Sequence, residues 1–392
     1  MHRVTNPYLA RRLHGFGTTI FAEMSELAVR TGSINLGQGF PDTDGPVDVA
    51  EAAVAAIRGG VNQYPPGPGT PELRTAISVH QYRFWDVDID PETEVVVTAG
   101  ATEAIAAAML ALCEPGDEVV AFEPVYDSYR AAVSMAGGVL RVVTLEGPGY
   151  AVDVAALERA ISPATRLVLL NSPHNPTGKV FSRAELEHVA RLCVGHDLLA
   201  VTDEVYEHLV FDGVHVPLCT LPGMAERTLT ISSAGKTFSF TGWKVGWACG
   251  PAELVTAVRT AKQFLTYVNG APFQPAIAHG LGLPDEFYAD LRASLAAKRD
   301  LLCEGLAEAG LGVHRPAGTY FVTADVRPLG IDDGTELCRT MPHRIGVVAV
   351  PSSAFYLDPD RGRHYVRFAF CKRDEVLAEA VRRLGKLRDR LG

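Results

Sequence analysis

The chain has 392 residues, 47% of them apolar and 21% charged, which is the balance of a folded enzyme and not of a disordered chain. Its net charge of -10 argues against a nucleic-acid partner, because a duplex binder needs a basic face to displace counterions. No run of eighteen apolar residues occurs, so no membrane-crossing helix is expected. The start of the chain, MHRVTNPYLARRL, has basic residues with no apolar stretch after them and predicts no signal peptide. Seven cysteines without close pairing read as small buried hydrophobes of a cytoplasmic protein, not as disulfides or zinc ligands, and no metal site is expected.

The segment carrying LGQGFPD (36–42) is expected to return to the C-terminal part of the fold or to a cleft. NQYPPGPGTPE (62–72) is the longest irregular stretch, and loops of that length are often functional. From about Pro91 to Gly250, strand-like and helix-like runs alternate. The strand-like runs are EVVVTAG (94–100), EVVAF (118–122), RLVLLNS (166–172), LLAVTDE (198–204) and TLTISS (228–233). TEAIAAAMLALC (102–113), opened by Thr102, and AELEHVARLC (184–193) read as helices. This alternation predicts an α/β fold with a mainly parallel sheet covered on both faces. Ligands of such sheets sit at the carboxyl ends of strands. After about Leu283 a long helical stretch leads into GTYFVTAD (318–325), GVVAVPSSAF (346–355), YVRFAF (365–370) and a last helix, the pattern of a smaller α+β unit. The expected division is 46–282 for a large domain, with 1–45 and 283–392 forming a small one.

Chemistry concentrates at four of these strand ends. In SSAGKTFSFTGWKVGW (232–247), Lys236 lies among small and hydroxyl residues just past a strand. A lone lysine is usually a solvated charge. Here Ser233 and Lys244 suit a phosphate, and Lys236 between them suits imine formation with an aldehyde cofactor. In TDEVYEHL (202–209), Asp203 ends an apolar strand, where a carboxylate must find a partner. It either caps a turn or meets an arginine, or it faces a pyridine nitrogen and keeps it protonated, with Tyr206 near the phenolic oxygen of such a ring. NSPHNPTGKVFS (171–182) is a turn signal whose Asn175 fits the same oxygen, while His174 is expected to serve only the turn. TAGATEAI (98–105) offers helix-start amides and Thr102 to an anion.

Together these motifs resemble the class I/II aminotransferases of fold type I, and within them the kynurenine aminotransferase and bacterial N-succinyldiaminopimelate aminotransferase group. The resemblance runs over nearly the whole chain, through INLGQGFPD, NQYPPGPG, EPVYDSY, NSPHNPTGK, DEVYEHLVFD, SSAGKTFSFTGWKVGWACGP, GTYF and VRFAFCK. It implies a seven-stranded-type sheet, pyridoxal 5′-phosphate as cofactor and a ping-pong exchange of an amino group with 2-oxoglutarate. Lys236, Asp203 and Tyr206 are the implied catalytic residues. Ala101, Thr102, Ser233 and Lys244 are implied phosphate ligands, Tyr126 stacks on the ring, and Asn175 and Tyr206 contact its phenolic oxygen. Arg367 is implied to clamp the substrate carboxylate with Asn175 and the backbone at Gly39. Tyr64 is implied to reach the phosphate of a neighbouring subunit, so a homodimer with shared sites is expected.

Members that act on kynurenine carry an aromatic residue and a histidine where Asn269 and Gly270 stand here, which points to a roomier, more polar pocket. The resulting expectation is N-succinyl-LL-2,6-diaminopimelate as donor, a step of lysine biosynthesis, with Arg11, Arg12, Arg361 and Arg363 as candidates for its distal carboxylates. The alternatives are a kynurenine-, glutamine- or methionine-type aminotransferase, or a cysteine-S-conjugate β-lyase. A regulator with an aminotransferase-like domain is disfavoured, because fewer than fifty residues precede the cofactor region and they lack a basic helix pair.

Overall fold

A computed structural model describes residues 8–17 and 19–391. Residues 1–7, part of the segment read as lacking a signal peptide, lie outside the described residues. After a short strand β1 (Ile34–Asn35), seven strands build one sheet: β2 (Val95–Thr98), β3 (Glu118–Glu123), β4 (Val139–Thr144), β5 (Thr165–Asn171), β6 (Leu199–Asp203), β7 (Thr228–Ser233) and β8 (Gly246–Cys249). Their order in space is β2-β8-β7-β6-β5-β3-β4. Pairing is parallel from β7 through β4, whereas β8 runs antiparallel to both its neighbours. The sheet is thus mainly parallel, as expected, with two strands, β4 and β8, that the sequence pattern did not mark.

Both faces are covered, which is why these strands read as continuous apolar runs instead of alternating ones. Side-chain alternation splits each strand between two cores. Val119 and Ala121, with Leu167 and Leu169, face one side together with the helix Gly100–Leu112. Val120 and Phe122, with Val168 and Leu170, face the other together with the helix Arg183–Gly195. A Ser182–Glu185 capping box starts the latter helix.

The C-terminal part contributes β9 (Gly312–His314), β10 (Phe321–Asp325), β11 (Val347–Val348), β12 (Val350–Pro351) and β13 (Tyr365–Ala369). Four of them form an antiparallel sheet in the order β12-β13-β10-β9. The run GVVAVPSSAF does not form one strand. It breaks at Ala349, because β11 pairs with β1 while β12 pairs with β13. The amide of Ala369 bonds the carbonyl of Leu36, so the 36–42 segment is fixed against the C-terminal sheet.

Candidate active site

Four strand ends converge on one cavity of about 370 Å³. The residues implied for cofactor, catalysis and the α-carboxylate line it except Tyr64: Gly39, Ala101, Thr102, Tyr126, Asn175, Asp203, Tyr206, Ser233, Lys236, Lys244 and Arg367. Tyr64 is 82% exposed, and its ring meets Tyr267 edge-on at 5.5 Å.

One end of the cavity is built for an anion. The helix starts at Gly100, two residues before Thr102, and Gly100 has a left-handed φ of 78°. The Glu103 carboxylate turns back onto the Ala99 amide. That bond closes the helix start, so the Thr102 side chain is not its cap. Gly246 on β8 lies so close to this turn that a Cβ there would come within 2.8 Å of the Ala101 nitrogen. Free first-turn amides at this place, with Ser233 and Lys244, give a cradle for a phosphate. Lys244 is exposed, sits at a left-handed φ of 55°, and has no ion-pair partner among the described residues.

Lys236 stands on the one-turn helix Ala234–Thr237 that leaves β7. Its Nζ lies 5.8 Å from the centroids of both the Tyr206 and Tyr320 rings and 3.4 Å from the Gly39 carbonyl. Burial lowers its proton affinity, Asp203 partly restores it, and the positive charges of Arg367 and Lys244 lower it further. A lysine so placed is more easily neutral, and a neutral amine is the nucleophilic and basic form.

Asp203 ends β6. Its Oδ2 accepts from the Tyr129 hydroxyl at 2.5 Å and its Oδ1 from the Val205 amide at 3.4 Å. Burial pushes the carboxyl up to about 6, against the pull of those two bonds and of Lys236. Tyr129 was not marked by the sequence pattern. Its signal is its spacing, one helical turn after Tyr126, on the helix Asp127–Met135 that leaves the Tyr126 loop. Tyr206 packs edge-on against Tyr320 at 5.3 Å, and burial raises its phenol.

Arg367 on β13 is fully buried. Nη1 donates to Asn175 Oδ1 at 2.9 Å and Nη2 to the Gly37 carbonyl at 3.0 Å. Rings of Phe321, Phe355 and Phe21 lie 3.9, 4.8 and 5.2 Å from its guanidinium carbon. Its Nε has no hydrogen-bond partner among the described residues. Burial lowers its proton affinity to about 10, which leaves it charged at neutral pH. Because Asn175 turns its oxygen to Arg367, its amide donors remain for another acceptor. Asn171 Oδ1 accepts from the main-chain N–H of Asn175 at 2.7 Å, and Asn171 Nδ2 donates to the Asp203 carbonyl at 2.8 Å, so it ties the two strand ends together. His174 bonds Thr177 within the turn.

The candidate arginines for distal carboxylates are elsewhere. Arg361 bonds Glu146 at 3.2 Å and Arg363 bonds Asp332 at 2.9 Å, both on the surface. Arg11 and Arg12 are exposed in a short turn and do not line the cavity. Asn269 is occupied with backbone: its Nδ2 donates to the carbonyls of Thr98 and Lys244 at 3.1 and 2.9 Å.

The cavity suits pyridoxal phosphate on its own donor set. It joins an anion cradle, a half-buried amine, a buried acid bonded mainly by one phenol, and an arginine with an unpartnered Nε.

Comparison with known proteins bears on the same arrangement. The family described as aminotransferase class I and II matches residues 31–384. The probable N-succinyldiaminopimelate aminotransferase DapC of Mycobacterium tuberculosis (strain ATCC 25618 / H37Rv) is 57% identical over 391 residues, covering 97% of this chain and 98% of the relative. A methionine aminotransferase of Escherichia coli (strain K12) is 38% identical, with coverage of 97% and 99%. The solved structure of N-succinyldiaminopimelate aminotransferase from Mycobacterium tuberculosis superposes with a TM-score of 0.95 at 58% identity, covering 97% of this chain and all of that one.

Proposed function

The chain belongs to the class I and II aminotransferases, enzymes that use pyridoxal phosphate, and from that premise we propose that it takes the amino group of N-succinyl-LL-2,6-diaminopimelate and passes it to 2-oxoglutarate. The observation that carries the substrate is the 57% identity to the mycobacterial enzyme along nearly the whole chain. Bound pyridoxal phosphate supplies the aldehyde that accepts the amino group and the ring that withdraws electrons from the α-carbon.

This chain's residues do the rest. The amides at Ala101 and Thr102, with Ser233 and Lys244, would hold the phosphate, and Tyr126 would support the ring. Asp203, ionised by its Tyr129 bond and by the charge it would meet, would keep the pyridine nitrogen protonated. Asn175 and Tyr206 would donate to the phenolic oxygen. Lys236 would hold the cofactor's aldehyde, and its amine, made more easily neutral by burial, would take the proton from the substrate α-carbon. Arg367 uses its remaining fork donors on the α-carboxylate, and the aromatic rings around it exclude water, which strengthens that pair. In the second half-reaction the same groups act in reverse on the oxo acid.

No cation beyond Lys236, Lys244 and Arg367 lines the cavity among the described residues. The distal carboxylates of the donor therefore find partners at the cavity mouth or on a second copy. We take the working unit to be a cytoplasmic homodimer in which Tyr64 reaches the neighbour's phosphate. The large and small domains divide at 46–282 against the two flanking segments.

A panel of amino donors with 2-oxoglutarate tests the substrate. The succinylated donor is expected to exceed methionine and kynurenine in kcat/KM by well over tenfold, because a pocket arranged for its carboxylates is left unpaired by donors lacking them. Equal values for methionine or kynurenine would replace this reading by a broad-specificity one. Pyruvate and ammonia from cystathionine would replace it by β-elimination.

A further inference from the structure

Behind the exposed Tyr64 and Tyr267 lies a buried clamp that the cavity does not use. Lys262 ends the helix Ala252–Lys262 and is 1% exposed. Its ammonium donates to the carbonyl of Gly67 at 3.1 Å and to that of Tyr267 at 2.9 Å. Gly67 belongs to the Pro/Gly-rich loop that carries Tyr64, and Tyr267 belongs to a separate loop. Glu103, on the helix that opens at the anion cradle, holds the second loop as well: Oε1 accepts from the Thr266 amide at 3.2 Å and from its hydroxyl. The other oxygen of Glu103 bonds the Ala99 amide beside the cradle. Burial lowers the proton affinity of Lys262 and the charge of Glu103 raises it.

The loop it holds is strained. Tyr267 has a φ of 64°, a left-handed conformation that a bulky side chain rarely adopts. Such outliers persist only where surrounding bonds over-determine them, and they gather where a side chain must be shown in one place. What is shown here is the Tyr64–Tyr267 ring pair, 82% and 52% exposed, beside the exposed Phe264 and Leu265. A buried ammonium whose hydrogen bonds, among the described residues, go only to backbone carbonyls of two loops is costly to desolvate. Its bonds fix the two loops to each other.

We propose that Lys262 is a positioning residue for the neighbouring subunit's site: it fixes the 62–70 and 263–270 loops to one another so that Tyr64 is presented to the phosphate held by a second copy of this chain. This rests on the shared-site reading above. It adds that the hold of one subunit on the other's cofactor is set by a buried lysine that touches no ligand.

The test measures how fast the holoenzyme releases pyridoxal phosphate, and how fast the same protein loaded with pyridoxal, which lacks the phosphate, releases that. Tyr64→Phe and Lys262→Met are each expected to speed release of pyridoxal phosphate about tenfold, the size of one lost hydrogen bond to a charged group. Neither changes the release of pyridoxal. The double variant releases no faster than Tyr64→Phe alone, because Lys262 acts through Tyr64. If Tyr64→Phe has its effect but Lys262→Met does not, or speeds both ligands equally, or adds fully to Tyr64→Phe, Lys262 is not a positioning residue. A monomer in light scattering, or a Tyr64→Phe variant like wild type, removes the shared-site reading and this inference with it. Should Lys262→Met not fold by circular dichroism, the exposed Tyr267→Gly carries the test. About threefold faster phosphate-dependent release is expected from the loosened loop, and an unchanged rate overturns the proposal.

Discussion

The segment DEVYEHL (203–209) feeds two buried polar clusters, and they differ in one respect. Asp203 and Tyr206 turn into the cavity, while Glu204, Glu207 and His208 turn into a network behind it. In that network His80 and His208 share a hydrogen bond of 2.8 Å between their Nε2 atoms. Glu207 accepts from Trp85 Nε1 at 2.6 Å and from Ser232 Oγ at 2.7 Å, and Glu204 pairs with His215 at 2.8 Å. The Phe84 and Tyr288 rings enclose it. Ligating atoms of His80, Glu207 and His208 lie within 4.8 Å of one another, yet each of these side chains is already bonded to another protein group. In the cavity, Arg367 Nε, the Asn175 amide donors and Lys244 keep capacity for something else. The network also leaves the Nδ1 atoms of His80 and His215 without a partner among the described residues, but neither residue lines the cavity. Buried polar groups that bond one another hold a fold together, and it is open donors facing a cavity that mark a site.

Substitution breaks or sharpens this contrast. Lys236→Ala should abolish turnover, with a loss of at least about 10³-fold, since it removes both the attachment point and the base. The variant should still bind the cofactor without a covalent link. Borohydride reduction of the wild type followed by peptide mapping should place the label on Lys236, and a label on Lys244 or Lys262 would displace this assignment. Asp203→Asn should lower kcat about 10²-fold with KM little changed, because the lost charge acts on the ring nitrogen and not on the substrate. Steady-state kinetics with unaltered kcat would return Asp203 to a purely structural role. Arg367→Lys keeps the charge and loses the fork, so KM for both amino and oxo acid should rise about tenfold or more. A rise for only one of them would break the proposal of a common α-carboxylate site.

Glu207→Gln should have the smallest kinetic effect, within about twofold, and its consequence should appear in stability. Burial pushes Glu207 up to about 7 from 4.5. A carboxyl raised on folding stabilises fully below its unfolded value, and that stability is lost as pH climbs through the folded one. Wild-type protein should therefore lose stability relative to Glu207→Gln between about pH 4.5 and 7, as read from the difference in Tm across that range. A constant difference would mean that Glu207 does not change its proton on unfolding. A large fall in kcat would mean that the network and the cavity are one system.

Much of the site was legible because its residues lie just past apolar runs, where strand ends are announced by local pattern. Ser233, Lys236, Asp203 and Asn175 are of this kind, and the cavity gathers them because parallel strands share one carboxyl edge. β4 and β8 were not legible. β4 is an edge strand whose residues are mostly half-exposed, and β8 lies in a Gly-Trp-Ala-Cys run that has no alternation. The arginines named for distal carboxylates were chosen by position along the chain, and each sits where a nearby acid or the surface holds it.

Local sequence pattern was enough to single out the lysine, the acid and the arginine that line the cavity, since each is embedded in a motif whose neighbours suit its proposed task. Which buried polar groups remain available was set by long-range packing. Asp203 and Glu207 are four residues apart and equally acidic in composition. One bonds the Tyr129 phenol and opens on a cavity, and the other is closed in by Trp85 and Ser232. Those partners come from 74 residues upstream, 122 upstream and 25 downstream respectively. Local pattern carries no information at that range, because the hydrogen-bond state of a buried group is set by whichever distant elements pack against it.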